Sequence, residues 1–205
     1  PIRPALAAHL ADQEWHLAWR IGIDTQCNWK LPYDAFTEFY HFEALHPKSI
    51  AGGLAMKDSV PVIFERSPGV VGYFECYYNA DGSGGGGFLP PTHMQMLAAE
   101  LGGAGLHTKG QETAHDTRYP QALNGSGRPD WAVDCYGMLP HTTWQVLGQT
   151  FATQRVWPIA VDRCRVELDM WTLVPPPTRF AEMFNVSAVN SRTVDVLAED
   201  LSTLE

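Results

Sequence analysis

The sequence predicts an α+β domain, with an antiparallel sheet built from separate strand runs and helices at two places in the chain. Three observations predict this. Between 131 and 173 four strand-like runs (131–138, 142–147, 150–157 and 161–173) follow one another with turn residues between them, the pattern of a meander with one face covered. A second stretch, from Pro32 to His46, reads as a helix that opens with proline in its first turn. Finally, Pro175-Pro176-Pro177 break the chain before a long terminal helix that should run from 178 to the end. At 205 residues the chain fits one large domain with a core of its own.

Residues 5–14 fit either a short helix or a loop. The run 15–23 is expected to be a strand, with Leu17, Trp19, Ile21 and Ile23 alternating against His16, Ala18, Arg20 and Gly22. His16 falls on its polar side as a solvated histidine. The central helix follows. On it Asp34, Glu38 and His41 share one face at i, i+4 and i+7. His46 lies about 140° away from His41 on a straight helix, so the two rings could not meet there. Pro47 disfavours helix at His46 and should end it, letting His46 swing back toward His41. Spacing alone equally accommodates a surface histidine and a C-terminal histidine favoured by the helix dipole.

A hairpin is expected from 60–66 and 70–78, separated by Ser67-Pro68-Gly69. The glycine run 81–87 lacks the Gly-Lys-Ser/Thr ending of a phosphate loop and reads as a connector. Thr92 can cap a helix running to Leu101. The stretch 102–130, with little apolar periodicity, is long enough to suggest a segment covering a binding site. His93, His107 and His115 lie in or near it without partners at ligand spacing. The strand at 161–173 alternates Cys164, Val166, Leu168 and Met170 against Arg163, Arg165, Glu167 and Asp169. In the terminal helix Val194, Leu197, Leu201 and Leu204 form the buried stripe. Glu199 projects nearly opposite that stripe and Asp195 well away from it, while Asp200, about 80° off, can reach an interior site.

A formal charge of −9, from 23 acids against 14 Lys and Arg, and the absence of a basic run argue against nucleic acid as a partner. No stretch resembles a membrane span or signal peptide, so a soluble, cytoplasmic chain with no membrane partner is expected. Cys27, Cys76, Cys135 and Cys164 lie far apart and read as buried free thiols.

Two motifs carry a resemblance. Asn28-Trp29-Lys30, Asp34, Glu38, His41 and His46, with the late acid pair of Glu199-Asp200-Leu201, resemble the catalytic domain of Rieske-type non-haem iron oxygenases, the large subunits of ring-hydroxylating oxygenases. The resemblance covers nearly the whole chain. It implies a twisted antiparallel sheet around the C-terminal helix, as in the START-like, helix-grip superfamily. It also implies that His41, His46 and Asp200 hold Fe(II), which leaves positions open for O₂ and substrate. Glu38 then looks like the bridging acid that passes an electron from a neighbouring subunit's Rieske cluster, and Asp34 like an acid that orients a ligand histidine. Ala35 stands where many members have Asn, and Glu38 where the dioxygenases usually have Asp, which suggests a divergent branch.

The Cys-x-His and Cys-x-x-His pair that binds the family's 2Fe-2S cluster is not in this sequence. Either residues 1–205 are the catalytic half of a longer protein whose N-terminal Rieske domain is absent here, as Pro1 first and Glu205 last suggest, or the chain is a stand-alone relative; the first is the expectation. The implied activity is hydroxylation of an apolar aromatic or cyclic compound. Its partners would be a reductase or ferredoxin, in a full-length homotrimer, and the chain alone would be inactive. A non-enzymatic carrier of a hydrophobic ligand is the alternative, and it would have no reason for three convergent metal ligands. A zinc hydrolase fits less well, since no glutamate adjoins either histidine.

Overall fold

A computed structural model of the chain describes residues 14–38, 40–46, 60–63, 70–77, 131–146, 150–172 and 196–204. Among these residues seven strands, β1 (His16–Thr25), β2 (Val60–Ile63), β3 (Val70–Tyr77), β4 (Trp131–Met138), β5 (Thr142–Val146), β6 (Thr150–Ala160) and β7 (Arg163–Thr172), form one antiparallel sheet. Its order is β1-β7-β6-β5-β4-β3-β2. From β2 to β7 each strand lies beside the next in sequence, and β1 then closes against the last. Pro61 sits on the edge strand β2, where a missing N–H costs no ladder bond. Among the described residues the helices are α1 (Lys30–Ala35), the four-residue α2 (Phe42–Leu45) and α3 (196–204).

The alternation read from β7 sets the core. Cys164, Val166, Leu168 and Met170 are all buried and pack with Ala152 and Val156 of β6, Trp19 of β1, Tyr33 and Phe36 from the α1 region and Leu197 of α3. One sheet face thus packs against α1 and α3, as an α+β domain requires. The strand register differs from a simple alternation at one point in β1. Leu17 pairs with Trp171 and Trp19 with Met170, so Ala18 is a bulge and Leu17 turns outward, 42% exposed.

The opposite face of β7 carries charge. Asp169 is nonetheless buried, because Arg20 of β1 and Arg155 of β6 clamp it from both sides, at 2.5 Å and 2.8 Å. Arg165 reaches Asp24 at 2.8 Å by crossing Gly22, where a Cβ would meet its guanidinium at 2.5 Å. The hydrogen bond from Arg20 holds the Asp169 carboxyl below its ordinary 3.8; burial works against this and Arg155 reinforces it. A carboxylate whose folded pKa is depressed contributes stability that is present above its unfolded value and is lost as pH falls toward the folded one. Asp169→Asn should therefore cost about 2 kcal/mol at neutral pH and flatten the loss of stability below pH 4, measured by urea unfolding across pH. An acid limb identical to that of the parent chain would show that the clamp does not set it.

Cys27, Cys135 and Cys164 are buried thiols, and the side chain of Cys76 lies outside the described residues. Burial, and Cys27 with its sulfur 3.9 Å away, push the Cys164 thiol up to about 12. The expected helix at 92–101, the glycine run, the stretch 102–130 with His93, His107 and His115, and residues 178–195 with Val194 and Asp195 all lie outside the described residues.

Candidate metal centre

The site begins where β1 ends. Asn28 serves two elements at once: its Oδ1 accepts from the Lys30 backbone N–H, and its Nδ2 donates to the Val161 carbonyl 2.7 Å away. This fixes the start of α1 against the β6–β7 turn. Pro32, third in α1, sits where backbone N–H groups have no intrahelical acceptor.

The continuous helix expected from Pro32 to His46 is not what forms. It stops after Ala35 and resumes at Phe42. Thr37 explains part of the break, since its hydroxyl donates to the Asp34 carbonyl at 2.8 Å and competes with the helical pattern there. Cys135 on β4 donates its thiol to the Phe36 carbonyl at 3.1 Å, so the helix end is satisfied by the sheet. The break lets Glu38 fold back on His41. One carboxylate oxygen lies 2.5 Å from His41 Nδ1 and the other accepts from the His41 backbone N–H at 3.3 Å.

His46, the last residue before Pro47, is fully buried. It swings toward His41, their ring centroids 5.2 Å apart at 66°. Its Nδ1 lies 2.9 Å from Glu199 and its Nε2 2.9 Å from Asp200, two successive residues of α3. His41 Nε2 lies 3.5 Å from the same Asp200 oxygen. One ligand atom each from His41, His46 and Asp200 therefore gathers within 4.8 Å.

Glu199 was missed by sequence reasoning. The wheel places it nearly opposite the apolar stripe, but Glu199 and Asp200 each stand 2.9 Å from a different nitrogen of His46, and residues about 100° apart on a helix can grip one ring from two sides. The quoted Glu199-Asp200 pair was the available signal. Asp34 is brought to neither imidazole: its side chain is exposed, and Glu38 and Glu199 take the two Nδ1 positions. His16 lies on β1, away from this group.

The electrostatics fit a cation. Glu38, Glu199 and Asp200 stand around two imidazoles in a largely buried place, and three carboxyl groups gathered there call for a positive partner. Burial pulls the His46 imidazole down, but hydrogen bonds to Asp200 and Glu199 more than reverse this, so it rises above its ordinary 6.5. The Asp200 oxygen faces both rings, 2.9 Å from His46 Nε2 and 3.5 Å from His41 Nε2. With each Nδ1 beside a carboxylate, the two Nε2 atoms and that oxygen are placed as a donor set suited to a divalent ion of the iron or zinc kind.

An antiparallel sheet closed on a terminal helix, with two imidazoles and a carboxylate gathered at their junction, defines an α+β domain of the histidine–carboxylate type. The chain belongs to the ring hydroxylating alpha subunit (catalytic domain) family, which it matches over residues 12–205. No curated protein matches it. Among solved structures it is similar to the quaternary ammonium Rieske monooxygenase CntA in complex with an inhibitor, with a TM-score of 0.58 and 12% identity over 100% of this chain and 41% of that one. It is likewise similar to naphthalene 1,2-dioxygenase from Rhodococcus sp. bound to indole (TM-score 0.58, 13% identity, 97% of this chain, 46% of that one). A third is dicamba monooxygenase bound to 3,6-dichlorosalicylic acid (TM-score 0.50, 13% identity, 91% of this chain, 48% of that one). At these identities the likeness is one of fold, and the chain spans less than half the length of each. Among the described residues no helix is long and apolar enough to cross a membrane.

Proposed function

We propose that this chain is the catalytic unit of an oxygenase that binds Fe(II) through His41, His46 and Asp200 and hydroxylates an apolar aromatic or cyclic substrate with O₂. The observation that carries the reading is the convergence of those three ligand atoms within 4.8 Å, inside a chain of the ring-hydroxylating family. Ferrous iron held there would supply the reductive activation of O₂ that hydroxylation needs. The chain's own residues do the rest. Glu38 and Glu199 accept from the two Nδ1–H groups, which fixes each tautomer and turns Nε2 inward. Complete burial of His46 and near-complete burial of Asp200 keep water from competing for the donor set.

Glu38 is proposed as the electron relay as well as the holder of His41, receiving from a 2Fe-2S cluster on a Rieske domain of a neighbouring subunit in a full-length homotrimer. A reductase or ferredoxin feeds that cluster, in the cytoplasm. Anaerobic reconstitution with ferrous salt should give about one iron per chain by elemental analysis. With reductase and NADH the 205-residue chain should form no product, because its sequence has no Cys-x-His and Cys-x-x-His pair to hold a cluster. Iron-free chain after reconstitution, or reductase-dependent product from the pure chain, would refute the proposal.

A further inference from the structure

On the sheet face that meets α1 and α3, the helix-side row of the register runs from Gly137 on β4 through Thr143 on β5 to Gln154 on β6. Two features of this row are unexpected in an apolar core. Thr143 and Gln154 are buried polar residues, the Thr143 hydroxyl donating to the Gln154 side-chain oxygen at 2.6 Å. Beside them Gly137 leaves room for α1, since a Cβ there would stand 3.1 Å from Thr37 Cγ2 and 3.5 Å from the Tyr33 hydroxyl.

That hydroxyl is the second feature. Tyr33 is 7% exposed, its oxygen is buried, and it meets no hydrogen-bond partner among the described residues. A buried phenol without a partner is costly to keep, and phenylalanine would pack as well without that cost. Burial, and then the nearby Asp34 and Cys135, raise its pKa above 10.0, so the group stays a neutral donor. Gln154, accepting with its oxygen, still carries two N–H donors. The described arginines that could offer a positive charge, Arg20, Arg155 and Arg165, are engaged in ion pairs on the opposite face.

We infer that Tyr33, with the Thr143–Gln154 pair beside it, forms a polar subsite in the layer between sheet and helices that binds a neutral oxygen acceptor, such as a carbonyl or ether, on an otherwise apolar cyclic ligand. The inference deepens the function proposed above and rests on it for the identity of the reaction. A neutral acceptor is favoured over a carboxylate because, among the described residues, the subsite offers N–H and O–H donors and no cation to offset a buried charge. Tyr33 acts by orienting the ligand and takes no part in holding the metal.

The test pairs an apolar ring with its ketone: indane and 1-indanone, titrated against the chain by tryptophan fluorescence, with thermal midpoints and iron content on the same samples. The parent chain should bind the ketone about fivefold more tightly or better, and Tyr33→Phe should erase that margin while leaving indane unchanged. The ligand-free midpoint of Tyr33→Phe should hold or rise, because the substitution removes an unsatisfied buried group. Equal losses for both probes, an unchanged ketone affinity, no binding of either probe by the parent chain, or a fall in the ligand-free midpoint would overturn the inference. Iron separates the two readings. A chain that binds iron without a ketone preference refutes the subsite alone, whereas one that shows the preference and binds no iron refutes the oxygenase reading and leaves a ligand carrier.

Discussion

His41→Ala and Asp200→Ala should each reduce iron after anaerobic reconstitution from about one per chain to background, whereas His16→Ala should keep the parent value. The expectation follows from where the ligand atoms stand. Asp200 offers the oxygen nearest both Nε2 atoms, at 2.9 Å and 3.5 Å, so removing it takes away the only carboxylate that faces both rings among the described residues. His41 is the better imidazole to remove than His46. Its ring is 15% exposed, so truncation admits water, while loss of the fully buried His46 would strand Glu199 and Asp200 beside each other without the ring between them. His16 shares a residue type with the ligands and nothing else, being fixed on β1. Elemental analysis of the three variants, each checked for a cooperative thermal transition, decides the assignment. Equal iron loss in all three would mean that the metal responds to stability and not to these ligands.

Much of the sheet could be read in advance because a strand's period of two survives in sequence wherever one face is buried. β7 shows this best: Cys164, Val166, Leu168 and Met170 are buried as their alternation predicts. The same strand shows where pattern fails. Asp169 is equally buried because Arg155, across the β6–β7 hairpin, and Arg20, 149 residues away, neutralise it, and no alternation of apolar residues within one strand contains that fact. Leu17 fails for a different reason, a one-residue bulge at Ala18 that reverses the phase of β1 without any break in composition. The helix from Pro32 to His46 was over-read. Its interruption depends on Thr37 and on Cys135 of β4, so part of the signal lies a hundred residues away. In the site, the turn of His46 toward His41 was legible from Pro47. The capture of His46 by Glu199 was not, because a helical wheel sorts residues by burial and does not say which partner comes to the rim.

The two outer carboxylates should separate cleanly when each is changed to its amide. Both hold an Nδ1, but their surroundings differ. Glu38 sits beside His41 in the interrupted segment, its second oxygen held by the His41 backbone N–H. Glu199 reaches a fully buried ring from α3, together with Asp200. In Glu199→Gln the amide can still face His46 with its oxygen, but as a weaker, neutral acceptor. The imidazole then becomes a poorer ligand, and iron affinity should fall about 10–100-fold. Glu38→Gln should behave differently if Glu38 is the relay. The amide oxygen can still accept from His41 Nδ1–H, as a weaker acceptor, so iron added at saturating ferrous salt stays bound. A carboxylate can accept at both ends, and Gln cannot, so contact with a second imidazole from a Rieske domain should be lost. In the full-length assembly, single-turnover oxidation of the cluster should therefore slow by at least about 10²-fold in Glu38→Gln while its iron content stays near the parent value. Lost iron in that variant would make Glu38 a support for the metal and nothing more, and retained iron with normal cluster oxidation would remove it from the electron path.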